Sequence, residues 1–330
     1  MSNATIYDVA GKAEVSLATV SRVLNNPEKV NEATRAKVLK VIKELGYRPN
    51  AIARGLASHK TTTVGIMLSD VTRASTSSLL GGIIDIAKKY SYSIKIFSMS
   101  GDRDVLDSIR EVVAEQVDGI LFLNDELDSK QLNIVKEQAS NANIPLVLTN
   151  VISDDPELAS VAIDYKKASY DTTKELIAQG RKALFLLSTV TRYSVNSQKE
   201  AGYEEAMKEA GLESKVFRTS GDLSINTPHF EEYFGSHPVD GAIAVRDSIA
   251  VSFMNVMINK GKKVPEDVAV IGYQNTKYAM LARPKLTCID TPVYDIGAVA
   301  MRLLTKLMKG EAVDTIKIVL PHKIIKRESM

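Results

Sequence analysis

The chain has 330 residues, a near-balance of 42 Lys/Arg and 40 Asp/Glu, and one cysteine. That length exceeds what one hydrophobic core usually serves. Cys288 alone excludes an intramolecular disulfide, no apolar run is long enough for a bilayer span, and the opening residues lack the pattern of a signal peptide. A cytoplasmic protein is expected. The balance hides an asymmetry: residues 1–60 carry ten Lys/Arg against five Asp/Glu, and the remainder 32 against 35. A basic end on a nearly neutral chain is the electrostatic footprint of phosphate binding.

The first predicted element is a short helix. Thr5 suits an N-cap, Asp8 suits the first turn, and Ile6, Val9 and Ala10 share an apolar face. Gly11 to Val15 reads as a break. Ser16 is a second N-cap and opens a helix through Leu24. Val20 and Val23 face the first helix, where Ala10 and Ala13 permit close approach. Two helices joined by a tight turn form a helix-turn-helix, which places its second helix in the DNA major groove. The opposite face of that helix shows Leu17, Ala18, Ser21 and Arg22. Arg22 can donate a bidentate pair to guanine, and Leu17 and Ala18 can make apolar base contacts. Thr19 and Ser21 suit phosphate oxygens. A third helix runs from Asn31 to Gly46 with Val38, Val41, Ile42 and Leu45 as its stripe. The pattern alone would equally fit an ordinary three-helix bundle; the local charge favours DNA.

Pro49 to Ser58 is too short for a stable isolated helix, and Gly55 weakens it further. With Asn50 as its cap, it should fold only when something holds it. His59 to Thr63 reads as a domain boundary.

From there the pattern becomes α/β. Strands are predicted over Thr63–Ser69, Ser93–Ser98, Gly119–Leu123 and Pro145–Thr149, with helices over Ser78–Tyr90, over Val105–Gln116 and from Ser129. The pattern restarts with strands at Ser160–Ile163, Leu184–Ser188, Lys215–Arg218, Ala242–Val245 and Val268–Ile271, and helices from Lys166, Ser197 and Asp247. Such alternation predicts parallel sheets covered on both faces, in two similar subdomains. Asp118 and Asp240, each before Gly, read as matching strand-entry turns. Cys288 reads as a small buried hydrophobe.

Enzyme chemistry has little to stand on. The histidines, His59, His229, His237 and His322, lack metal-ligand spacing. Gly81-Gly82 lies inside a helical pattern, and there is neither a Walker sequence nor a Gly-x-Ser-x-Gly elbow. No catalytic residue, metal or cofactor is expected. A sugar-binding protein or sugar-utilisation enzyme with an attached DNA headpiece is the rival class.

Thr5-Ile-Tyr-Asp-Val-Ala10, Val15-Ser-Leu-Ala-Thr-Val-Ser-Arg-Val-Leu-Asn25 and Gly46-Tyr-Arg-Pro-Asn50 resemble the lactose-repressor (LacI/GalR) family, and the resemblance extends over the whole chain. It implies an all-α helix-turn-helix headpiece plus an α/β periplasmic-binding-protein-like core of two Rossmann-like subdomains. The implied divisions are a headpiece at 1–47, a hinge helix and linker at 48–60, and an effector-binding and dimerisation core at 61–330. Within the core, an N-subdomain would hold about 61–162 and 291–321, and a C-subdomain about 163–290 and 322–330. A homodimeric repressor or dual regulator on a pseudo-palindromic double-stranded operator is implied. By position, Thr5, Tyr7, Ser16, Leu17, Ala18, Thr19, Ser21, Arg22, Asn25, Tyr47, Asn50, Ala53, Arg54 and Leu56 would meet DNA, with Leu56 as a minor-groove wedge.

The resemblance also implies, as the alternative form of control, a cleft between the subdomains for a small-molecule effector, a sugar or sugar phosphate, at Asp70, Lys199, Asp247 and Gln274. Lys199 stands in place of the usual Arg, Gln274 in place of Asp, and residues 73–77 lack the expected aromatics. These losses argue against a simple monosaccharide. Tyr294-Asp-Ile-Gly-Ala-Val-Ala-Met-Arg-Leu-Leu-Thr-Lys306 resembles the catabolite-control branch of the family. On a helix opened by Asp295, Ile296, Val299, Leu303 and Leu307 share one face, and Arg302 and Lys306 project together. Core packing with solvated charges would explain the same helix. The resemblance implies a phosphoprotein corepressor, seryl-phosphorylated HPr, docking on Asp85, Tyr294, Asp295, Arg302, Lys306 and Arg327. Lys323 and Gly81 each stand where that branch has Arg.

Overall fold

Local chemistry sets where the headpiece helices begin and end. A computed structural model describes residues 4–47, 61–99, 104–123, 127–191 and 193–330. The chain divides into two units, Met1–Thr61 and Thr62–Met330. In the first, α1 (Ile6–Ala13) opens at Thr5, whose hydroxyl accepts the Asp8 N–H while the Asp8 carboxylate accepts the Thr5 N–H. α2 (Leu17–Asn25) opens at Ser16, which accepts the Thr19 N–H. α3 (Glu32–Leu45) opens at Asn31 and stops at Gly46, which takes a left-handed φ of +60°. The break lies later than the sequence suggests. α1 continues through Gly11, which is an ordinary exposed helical residue, and the chain reverses at Glu14, with φ 51°. Val9, Ala10, Ala13, Val20, Val23, Val38 and Val41 fill the small core between the three helices.

The second unit alternates strands and helices. Its first lobe begins with β1 (Thr63–Leu68), α4 (Ala74–Lys89), β2 (Ser93–Ser98), α5 (Val105–Ala114), β3 (Gly119–Phe122), α6 (Ser129–Asn141), β4 (Leu146–Thr149) and β5 (Ala159–Ile163). The other lobe holds α7 (Tyr165–Ala178), β6 (Leu184–Thr189), α8 (Ser194–Glu209), β7 (Val216–Thr219), α9 (Leu223–Tyr233), β8 (Gly241–Ala244), α10 (Asp247–Asn259), β9 (Ala269–Tyr273), α11 (Lys277–Leu281) and β10 (Thr287–Asp290). The chain then returns through α12 (Val293–Met308) and β11 (Lys317–Leu320) to the first lobe, and ends with β12 (Lys323–Ile325) in the second.

The two sheets have strand orders β11-β5-β4-β3-β1-β2 and β12-β10-β9-β8-β6-β7. Every pairing is parallel except β10 with β12. The central strands are apolar nearly throughout because both faces are covered. The antiparallel edge is β12, which enters the second sheet after a two-residue link from β11 in the first and pairs with β10.

Asp118 and Asp240 brace equivalent places in the two lobes. Asp118 accepts the Thr62 N–H at 2.9 Å; Asp240 accepts the N–H groups of Lys182 and Ala183 at 2.8 and 3.0 Å. Cys288 is buried, and burial pushes its thiol pKa upward, so it stays protonated. Helices α4, α8 and α12 begin two to four residues before the sequence pattern places them, at Ala74, Ser194 and Val293, and α9, with Pro228 inside it, has no counterpart in that pattern. No helix among the described residues is long and apolar enough to cross a membrane.

Candidate functional site

Three places carry the chemistry: the outer face of α2, the cleft between the lobes, and the exposed side of α12.

On α2, Val20 and Val23 are buried, which leaves Leu17, Ala18, Arg22 and Asn25 exposed on the other side. Tyr7 on α1 is also exposed. The Ser16 and Thr19 hydroxyls are 2.9 Å apart, and Asn25 donates to the Ser21 hydroxyl at 3.3 Å. These local bonds orient the polar side chains of the face. Thr5 is spent on its cap, with its hydroxyl donating to Asp8 at 2.7 Å. Tyr47 is half-buried against the headpiece core. Asn50, Ala53, Arg54 and Leu56 lie outside the described residues.

The cleft encloses about 250 Å³, and Asp70, Lys199, Asp247 and Gln274 all line it. Their roles differ. Lys199 is 2% exposed; its ammonium donates to Val245 O at 3.0 Å and Asn196 Oδ1 at 3.3 Å, and lies over the rings of Tyr273 and Tyr165. Asp247 is buried at the first turn of α10. It accepts from the Thr276 N–H and hydroxyl at 2.5 and 2.8 Å and from the Cys288 thiol at 3.2 Å. Burial outweighs those bonds and pushes its pKa up to about 6. Asp70 behaves oppositely. Burial raises its pKa, but hydrogen bonds from Thr72 and the charges of Arg73 and Arg246 together prevail and hold it below the ordinary value. Gln274 has φ +90°, a strained value for a residue with a Cβ, and its N–H donates to Ile289 O at 2.8 Å.

Three further residues of the cleft had no assigned role in the sequence reading. Arg73 donates to the Tyr193 hydroxyl at 3.1 Å and lies 4.8 Å from that ring's centre. Arg246 lies 5.0 Å from the same ring. Tyr193, an aromatic of the opposite lobe, is 8% exposed and stacked on both guanidinium groups. A signal for Arg246 was available: it lies two residues past the end of β8, and the carboxyl ends of parallel strands are where ligands meet α/β sheets.

On α12, Ile296 and Leu303 are buried and Val299 is partly so, while Tyr294, Asp295, Arg302 and Lys306 are exposed. Tyr294 donates to Asp85 on α4 at 2.6 Å, and its ring lies against Gly81. The two helices pack at backbone distance: a Cβ on Gly82 would collide with Tyr294 O, and one on Gly297 with Leu79 O. Arg327 sits in the other lobe, donating to Leu286 O and Asn275 Oδ1, each at 2.6 Å.

Residues 5–50 match the family described as bacterial regulatory proteins, lacI family, and residues 173–330 match a periplasmic binding protein-like domain. Catabolite control protein A of Priestia megaterium is 39% identical over 333 residues, covering 99% of each chain. The crystal structure of transcription regulator CcpA of Lactococcus lactis is 34% identical, with a TM-score of 0.70, over 81% of this chain and 98% of that one. The lac repressor dimer bound to operator and the anti-inducer ONPF superimposes with a TM-score of 0.90 over 99% of both chains, at 23% identity.

Proposed function

Because this chain belongs to the lacI family of bacterial regulatory proteins and is a DNA-binding transcription regulator, we propose that it is a cytoplasmic homodimeric repressor, or dual regulator, of carbon-catabolite genes. It reads a pseudo-palindromic operator through α2, and seryl-phosphorylated HPr is its corepressor. The observation that carries the corepressor is the exposed pairing of Arg302 and Lys306 on a helix whose opposite face is packed. Two cations one turn apart suit a phosphoryl group and its acidic surroundings. Catabolite control protein A as a full-length relative supports the same reading. Asp85, Tyr294 and Asp295 complete this face, with Arg327 as a contact from the other lobe.

Self-association is supported by apolar side chains left open on the second lobe. Leu223, Tyr278, Met280 and Leu281 are all exposed in the single chain, Leu281 to 71%. A two-fold pairing that covered them would present two headpieces to two half-sites. DNA contacts would come from Thr5, Tyr7, Ser16 to Thr19, Ser21, Arg22, Asn25 and Tyr47, with Asn50, Ala53, Arg54 and Leu56 in the hinge.

The test is to titrate labelled operator, selected with this protein, in the presence and absence of seryl-phosphorylated HPr. Tighter binding with the phosphoprotein, and no change with unphosphorylated HPr, is expected. Unchanged affinity in both cases would overturn the corepressor. The 250 Å³ cleft favours a second reading, in which a small molecule between the lobes sets operator affinity.

A further inference from the structure

Most helices of this chain open on a capping side chain, and α8 breaks the habit. Asp128, Asp164 and Asp222, for example, stand at N-cap positions and each accepts a first-turn N–H. At α8 the hydroxyl comes one place later: Tyr193 holds the N-cap position without a side-chain cap, and Ser194 is the first helical residue. Both side chains instead reach the other lobe. The Ser194 hydroxyl accepts the N–H of Ile152, just past β4, at 3.2 Å. The Tyr193 hydroxyl accepts from Arg73, the N-cap residue of α4, at 3.1 Å. Two adjacent residues of the second lobe thus grip two separate segments of the first.

Each grip is braced from its own side. Arg73 pairs with Asp70 at 3.4 Å, and Thr72 donates to that carboxylate through both its N–H and its hydroxyl. The Tyr193 ring lies 5.0 Å from the Arg246 guanidinium of its own lobe. The segment that carries Ile152 is tied again at Asn150, whose side-chain oxygen accepts from Tyr165, the first residue of α7, at 2.5 Å. Lys317 of β11 donates to Ser153 O in the same segment at 3.0 Å. Groups positioned in advance on both lobes lose little further side-chain freedom when the lobes meet.

The geometry points to a latch at the N-terminal end of α8. Tyr193 and Ser194 hold Arg73 and Ile152 as one cooperative unit, so the chain's own side chains clasp the lobes without help from a ligand. A corepressor docking on α12 would then meet lobes already fixed. The latch requires neither that corepressor nor a small-molecule effector, so its failure would leave both of those readings untouched.

Hydrogen–deuterium exchange of the full-length chain, free of DNA and added ligands, reads the latch at the Ile152 amide when followed by mass spectrometry with residue-level fragmentation. Ser194→Ala removes that amide's acceptor and sets the rate of the released state. Tyr193→Phe keeps the ring and loses only the hydroxyl that meets Arg73, and Arg73→Ala removes the donor; neither residue is the partner of the Ile152 N–H. Each of these two variants should nevertheless speed exchange at Ile152 roughly fivefold or more, the weight of one net hydrogen bond. The amides of β8 should keep their parent rates. Unchanged exchange at Ile152 in both variants would mean two independent contacts and would overturn the latch. Equal acceleration across β8 would mark a loss of fold and overturn it too. Should Arg73→Ala fail to fold, Tyr193→Phe decides alone.

Discussion

Tyr294 donates to Asp85 at 2.6 Å, so the first turn of α12 is tied to α4, ahead of Arg302 and Lys306 on the same helix. This bond holds the tyrosine ring against Gly81, at van der Waals distance from where a Cβ there would lie. A docked phosphoprotein would therefore meet a preset ring, with cations further along the same helix. Arg302→Ala should abolish the gain in operator affinity caused by seryl-phosphorylated HPr while leaving affinity without it unchanged. A lost charge-assisted bond predicts a roughly tenfold or greater reduction in phosphoprotein affinity. Fluorescence anisotropy with labelled operator measures both quantities; an equal loss in each would remove the docking role.

Gly82 and Gly11 should respond to alanine in opposite directions. A Cβ on Gly82 would strike Tyr294 O and lie 2.9 Å from Ala298 N, both backbone atoms of α12. Neither can move without shifting the helix, so Gly82→Ala should cost about 1–3 kcal/mol, despite alanine's better helix propensity. Nothing lies within 4 Å of the corresponding position at Gly11. There the propensity term acts alone, and Gly11→Ala should stabilise the headpiece by about 0.5–1 kcal/mol. Urea unfolding followed by circular dichroism checks both signs.

The headpiece was legible because its signals are local. Thr5, Ser16, Asn31 and Gly46 act on backbone groups within a few residues of themselves, so sequence spacing locates them. Gly11 misled because glycine costs a helix little enough to be tolerated on an exposed face. The strands of the core were readable from apolar runs, but the start of α4 was not. Residues 74–76 are small and border the cleft, and so carry no helical stripe. The cleft was legible only in part for the same reason. Asp70, Lys199, Asp247 and Gln274 came from positional resemblance, whereas the Arg73–Tyr193–Arg246 stack joins residues more than 50 positions apart in both steps. No local pattern encodes such a meeting.

Arg22 is exposed in the last turn of α2, with Val23 buried beside it. A guanidinium there can pair with guanine O6 and N7. Arg22→Ala should cost about 1–3 kcal/mol on operator DNA and relax discrimination at one base pair, with a much smaller loss on random DNA. Competition binding against a library of single-base operator variants reads this directly. A uniform loss across all sequences would reassign Arg22 to a phosphate contact.

Asp247 gives the core a pH dependence whose sign follows from its burial. Its folded-state pKa is about 6, against an ordinary value of 3.8. Between those values the folded protein holds a proton that the unfolded chain has released, so this residue's contribution to stability falls as pH rises through the window. It is fully present below pH 3.8 and lost above about pH 6, a difference of about 3 kcal/mol from the shift. Asp247→Asn cannot titrate. Its amide oxygen can still accept from Thr276, while its NH₂ group faces the Cys288 sulfur, a weak acceptor. Urea midpoints measured at intervals from pH 4 to 7 should therefore show the parent losing stability relative to the variant as pH increases. Parallel curves would mean that the carboxyl is already ionised at pH 4, with the Thr276 bonds outweighing its desolvation.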